Sequence, residues 1–136
     1  MEALPEWEDG AVALLSTGGG APHAIPVSTA VRAGPRRVLL ALAAHRESLA
    51  RLRRDPRCAL TIVTAPDVAC TAHARAEILH AVAEGVVAVA LDVEAIRDHM
   101  QPRFVIEAGI AWHWTDEEAR ERDRAIREAL SELARR

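Results

Sequence analysis

The chain contains no lysine; all 17 of its basic residues are arginines. A Schiff base requires a primary amine that can lose its proton, so ordinary pyridoxal-phosphate chemistry is excluded. A P-loop is excluded with it, because that loop's lysine reaches the transferred phosphates. Tyrosine is absent too, and the large aromatic side chains are limited to Trp7, Phe104, Trp112 and Trp114. A core with so few rings is filled by Ala, Val and Leu, which favours close-packed sheets. Cys58 and Cys70 are not spaced as C-x-x-C and are too few for a disulfide framework. Both fall in strand-like segments and read as small buried hydrophobes. There is no basic excess: the formal net charge is -3, which argues against a nucleic-acid partner. No long apolar run exists either, the longest being residues 38–44, far short of a membrane span. Glu2 and Glu6 stand where a secretory leader would be basic. The expectation is a cytoplasmic protein with neither nucleic acid nor membrane as partner.

What is present is 136 residues, half of them apolar, enough for one domain over residues 1–136 around one core. Residues 11–17 form the first predicted strand, and Gly18-Gly19-Gly20 the hairpin turn after it. Residues 23–32 read as the second strand, with a turn at Ala33-Gly34-Pro35. Residues 38–43 form a third, buried on both faces by their unbroken apolar character. The period then changes: Leu49 and Leu52, three apart among arginines, predict a short amphipathic helix over residues 46–54. Asp55-Pro56 ends it, since the residue before proline leaves helical geometry.

Residues 58–64 are β-branched and strand-like, and Ala65-Pro66-Asp67 is a turn signal. From 68 to 80, Thr71, His73, Arg75 and Glu77 alternate with Cys70, Ala72, Ala74, Ala76 and Ile78, predicting one wet and one packed face. Residues 86–92 and 104–114 read as two further strands, with 93–100 either strand continuation or a short helix. Thr115-Asp116-Glu117-Glu118 has the form of a capping box in which Thr115 and Glu118 satisfy each other's amides. Ala119, Ile126, Ala129, Leu130 and Leu133 then recur at helical spacing, and Arg135 and Arg136 suit the helix C-terminus. Six to seven short antiparallel strands, a short central helix and a C-terminal amphipathic helix over about 115–135 predict a mainly β protein, a β-barrel with helices. Closure of the barrel would remove exposed strand edges.

The order of these segments carries a resemblance. The stretch from Ala21-Pro22-His23 through Pro26-Val27, the strand Val38-Leu39-Leu40-Ala41-Leu42, and the run Leu52-Arg53-Arg54-Asp55-Pro56-Arg57 resemble the pyridoxamine 5'-phosphate oxidase-like, FMN-binding split-barrel family. Arg75-Ala76-Glu77 is similar to that family's segment on the following long strand. The resemblance spans roughly residues 10–114, and it implies a homodimer with flavin mononucleotide (FMN) at the interface. The phosphate would sit at Ala44-His45-Arg46-Glu47-Ser48, where a helix start offers free amides to an anion. The ring would lie against Pro26, Val27 and Ser28 and against Ala41, Leu42 and Ala43. Arg51 and Trp112 complete the expected cofactor contacts.

True pyridoxamine-phosphate oxidases carry Ser-Arg-Lys where this chain has Arg46-Glu47-Ser48, and arginine where it has Pro26; vitamin B6 oxidation is therefore not the expected activity. The expectation is an oxidoreductase acting on a small organic substrate. No catalytic side chain is named, since the flavin itself would carry the hydride chemistry. No histidine pair stands at metal-ligand spacing, so no metal is expected. Of the six histidines, His23, His45 and His73 are the natural candidates for acid–base work, with His45 beside the presumed phosphate loop. Trp112 and Trp114 flank His113 and point to one face of their strand. Arg51, Arg53, Arg54 and Arg57 form a solvated face or a groove for an anionic tail. That groove motivates one alternative, an F420-dependent reductase of the same fold. A non-catalytic flavin- or haem-binding module is the other.

Overall fold

The computed structural model covers residues 1–136. Its strands are β1 (Ala13–Thr17), β2 (His23–Val27), β3 (Val31–Gly34), β4 (Arg37–Ala43), β5 (Arg57–Thr64), β6 (Val68–Ala83) and β7 (Val86–Asp98). Helix α1 (Glu47–Arg54) connects β4 to β5, and α2 (Glu117–Ala134) closes the chain. All seven strands join one sheet in the order β2-β1-β5-β6-β7-β4-β3, each neighbouring pair antiparallel.

The two edges of this sheet, β2 and β3, are consecutive in the chain and joined only by Ser28-Thr29-Ala30. Four residue steps span at most about 14 Å. The outer strands of a flat seven-stranded sheet would lie roughly 28 Å apart. The sheet must therefore curl until its edges approach, yet no ladder joins them: the barrel is split. Two expectations are corrected here. The barrel does not close by hydrogen bonding, and residues 23–32 form two strands on opposite edges rather than one. The break is made by Thr29. Its hydroxyl accepts from the Ala41 amide at 3.1 Å and donates to the Ala41 carbonyl at 3.4 Å, carrying the chain across the seam.

The predicted hairpin turns are present. Gly19 adopts φ +75° between β1 and β2, in the region where a side chain is strained. Inside the barrel, Leu15, Leu40, Leu60, Ile62 and Leu91 form one apolar cluster, which Leu49 and Leu52 of α1 join. A second cluster lies outside, where Leu130 of α2 packs on Leu39, Ala88 and Ala90. Strand β4 thus feeds both layers, Val38, Leu40 and Leu42 inward and Leu39 toward α2, as its unbroken apolar run predicted.

Residues 93–98 continue β7. The register shifts from His73↔Ala95 to Ala74↔Val93, leaving Glu94 in a bulge. Arg36 reaches into it, donating from Nε to the Val93 carbonyl at 3.1 Å and from Nη2 to the Glu94 carbonyl at 2.5 Å. Residues 104–114 are not a strand. Beside this segment, β5 is paired with β6 over Arg57–Thr64 and with β1 over Cys58–Ile62, so only Val63 and Thr64 are left open on one side, too short a stretch for a ladder. The segment runs as an irregular strap, held by single bonds such as Ile106 N–H to the Pro66 carbonyl at 2.9 Å. The cap of α2 also differs from expectation. Asp116 is the N-cap, its carboxylate accepting from the Glu118 amide at 3.2 Å, so Thr115 and Glu118 do not form the box. No helix is long and apolar enough to cross a membrane.

Candidate functional site

The seam between β2 and β4 opens into a hollow of about 150 Å³. The end of β2 contributes Pro26 and Val27, the loop after it Ser28 and Thr29, and β4 contributes Ala41, Leu42 and Ala43. Arg46, just ahead of α1, stands at its rim. Two segments far apart in sequence meet here because the curled sheet brings its edges together. Two of the three β4 residues at the hollow, Ala41 and Ala43, are small, so a flat group can approach the strand closely.

Arg46 makes no ion pair within the chain. As N-cap of α1 its side chain forms no capping bond, so the first amides of the helix lack a side-chain acceptor. In that first turn Ser48 is fully buried, and its hydroxyl has no hydrogen-bond partner. Glu47, the negative charge absent from true pyridoxamine-phosphate oxidases, is turned aside. Its Oε2 lies 3.3 Å from His23 Nδ1 and 3.7 Å from Arg51 Nε.

Arg51 points away from the hollow. Its Nη1 donates to the carbonyls of Gly18 at 3.2 Å and Ala21 at 2.5 Å, fixing the glycine turn onto α1. Trp112 lies on the strap, its Nε1–H donating to the Gly10 carbonyl at 3.2 Å, and does not line the hollow. His45 lies beyond the rim in a larger cleft of about 730 Å³, which shares Ala43 and Arg46 with the hollow. The structure therefore brings together seven of the expected contact residues, places His45 beside them, and assigns Ser48, Arg51 and Trp112 other surroundings.

Four further residues belong to this region. Thr29 forms part of the hollow's wall. Asp123 of α2 is buried. Its Oδ1 accepts from the Ser28 hydroxyl at 3.3 Å and its Oδ2 from Arg127 Nε at 3.0 Å, so α2 is bonded to the end of β2. Trp114 and Arg122 line the larger cleft. Asp123 leaves a trace in the sequence: it falls seven residues before Leu130, on the helix face otherwise occupied by apolar residues.

No family model matches the sequence. No curated protein matches it either. Solved structures do match by shape. A Clostridium acetobutylicum protein related to general stress protein 26 of B. subtilis, of the pyridoxinephosphate oxidase family, has a TM-score of 0.54 at 15% identity, covering 67% of this chain and 82% of that one. An FAD-binding protein of Mesorhizobium loti has a TM-score of 0.52 at 12% identity, covering 63% of this chain and 83% of its own. A structure named F420 reductase reaches 0.56 at 12% identity, covering 66% of this chain and 91% of its own. The chain shares the split-barrel fold of the pyridoxamine-phosphate-oxidase-like proteins; at these identities the likeness is one of fold.

Proposed function

We propose that this chain binds a flavin-type cofactor in the hollow between β2 and β4 and serves as an oxidoreductase for a small organic molecule. The observation that carries the reading is the pairing of small-residue strands with an unpartnered arginine and an uncapped helix start at one rim. Such a rim favours an anion, and such a wall favours a flat ring. The residues fit the group. Ala41, Ala43 and the backbone of Val27 would lie along the ring, and Arg46 with the first amides of α1 would hold the phosphate.

When bound, a flavin supplies hydride transfer. The chain's own part is to orient the ring and exclude water. Asp123 holds the Ser28 hydroxyl and so fixes the end of β2. Thr29 holds the Ala41 backbone, and so fixes the opposite wall. Small-molecule sites measure roughly 300–1,000 Å³, and the hollow alone, at about 150 Å³, is smaller. A second wall is therefore required, and a second copy of the chain supplies it in this reading. The exposed surfaces of Leu14, Val63, Phe104, Ile110 and Trp112 are suited to such a contact.

A second reading keeps the same hollow and changes the ring. Arg53 and Arg54 on α1 are exposed and form no ion pair, as an acidic tail on a deazaflavin such as F420 would require. Titration of the purified protein with FMN and with F420, followed by visible absorbance, separates the two. Arg46→Glu is expected to weaken binding of the preferred cofactor by roughly tenfold or more, since charge-assisted bonds contribute about 1.5–3 kcal/mol. Reduction of the bound cofactor by a nicotinamide donor supports the oxidoreductase, and stable binding without turnover supports a storage or sensing module. Absence of saturable binding of both at concentrations on the order of millimolar overturns the cofactor reading. Sedimentation of the protein as a monomer removes the second wall.

A further inference from the structure

We infer that the cleft beside the hollow is a binding site for an adenosine 5'-phosphate moiety. It measures about 730 Å³ and lies between the β4–α1 loop, the β6–β7 turn and the first half of α2. A nucleoside phosphate asks three things of a protein: a flat face for the base, an acceptor for the sugar hydroxyls and a cation for the phosphate. The cleft wall carries all three.

Trp114 offers the face, with 40% of its surface exposed. It is held in place, because Trp112 packs edge-on against it at 5.4 Å and is itself bonded to the Gly10 carbonyl. A planar base stacks on such a ring at little ordering cost. Glu118 is the acceptor, a carboxylate that no ion pair within the chain uses. The cations are Arg122, steadied by its 2.8 Å bond to the Glu84 carbonyl, and Arg46. Gly85 leaves the turn open, since a Cβ there would meet nothing within 4 Å. Arg46 and Ala43 belong to both the cleft and the hollow. A phosphate at Arg46 therefore stands where a ring in the hollow and a base in the cleft would be joined.

The site goes beyond the flavin reading and is tested independently of it. The shared chemistry arrives from one of two sources, a dinucleotide flavin spanning both cavities or a nicotinamide dinucleotide bound beside a mononucleotide flavin. The full chain is titrated by calorimetry with adenosine 5'-phosphate, FMN, FAD and NADH. Adenosine 5'-phosphate is expected to bind saturably, and Trp114→Ala to weaken it by about tenfold while leaving FMN affinity unchanged. Arg122→Gln, at an exposed position of α2, is the second variant and is expected to weaken it similarly. FAD binding at least about tenfold more tightly than FMN, with the excess lost in Trp114→Ala, identifies the dinucleotide flavin. Equal FAD and FMN affinities, with adenosine 5'-phosphate competing against NADH alone, identify the nicotinamide dinucleotide. No binding of adenosine 5'-phosphate at about millimolar concentration, or binding that neither variant weakens, overturns the site. If adenosine 5'-phosphate binds as expected while FMN and F420 do not, the flavin reading falls and the nucleotide site stands.

Discussion

Individual side chains in this protein show how burial and pairing set chemistry. Burial pushes the Cys58 thiol up to about 12, with a smaller effect from the charge of Asp55, and raises Cys70 as well. A neutral thiol is a poor nucleophile. Both cysteines are expected to resist iodoacetamide in the folded protein at about pH 8 and to react fully in urea, as mass spectrometry would record. Rapid labelling of either in the native state would contradict its placement in the core. Asp55 is shifted the other way. Hydrogen bonds from the Arg57 guanidinium and amide hold its carboxyl down to about 2, against an ordinary 3.8. The unfolded chain therefore takes up this proton first. Stability from Asp55 is fully present above 3.8 and is lost as the pH falls through that value toward about 2. Glu8, lowered by the Thr64 hydroxyl, acts in the same sense. Urea unfolding across that window is expected to show a shallower acid loss for Asp55→Asn than for the parent chain.

Among the secondary-structure elements, the strap carries most of the irregular contacts. Gly109 lies where a Cβ would come within 3.0 Å of Thr64 Oγ1 and 3.1 Å of the Val63 carbonyl. The carbonyl belongs to β5 and cannot rotate away, so Gly109→Ala is expected to lift the strap and cost about 1–3 kcal/mol. Urea titration measures the loss, and near-ultraviolet circular dichroism reports whether the Trp112–Trp114 pair has been disturbed. The strap also marks where sequence pattern misleads. Trp112 and Trp114 alternate as strand residues do, but alternation reports only local geometry, and a strand exists only if an edge is free to receive it. The segments around α1 were legible because several signals agree there: the unbroken run of β4, the Leu49/Leu52 spacing and the Asp55-Pro56 stop. The break at Ser28-Thr29-Ala30 was not, because it contains neither glycine nor proline and its turn is enforced from β4. At the hollow's wall, Pro26-Val27-Ser28 and Ala41-Leu42-Ala43 were named through the family resemblance and not through any local pattern, while Thr29 and Asp123 became visible only through long-range bonds.

The whole molecule is governed by its open seam. Its two free edges are short, five residues in β2 and four in β3, and Pro26 removes a donor from the first. Short edges and proline both discourage pairing with stray strands. Pro26→Thr restores an amide and is expected to increase self-association on mild heating, measured by light scattering; unchanged scattering would show that edge length alone suffices. The single hydroxyl bridging the seam has a kinetic consequence as well. Leu40 and Leu42 stand opposite Val89 and Val87 in a regular ladder, whereas the Ala41 N–H depends on Thr29. Deuterium at Ala41 is therefore expected to replace hydrogen sooner than at either neighbour, making that one amide a clock for how often the two lips of the barrel part.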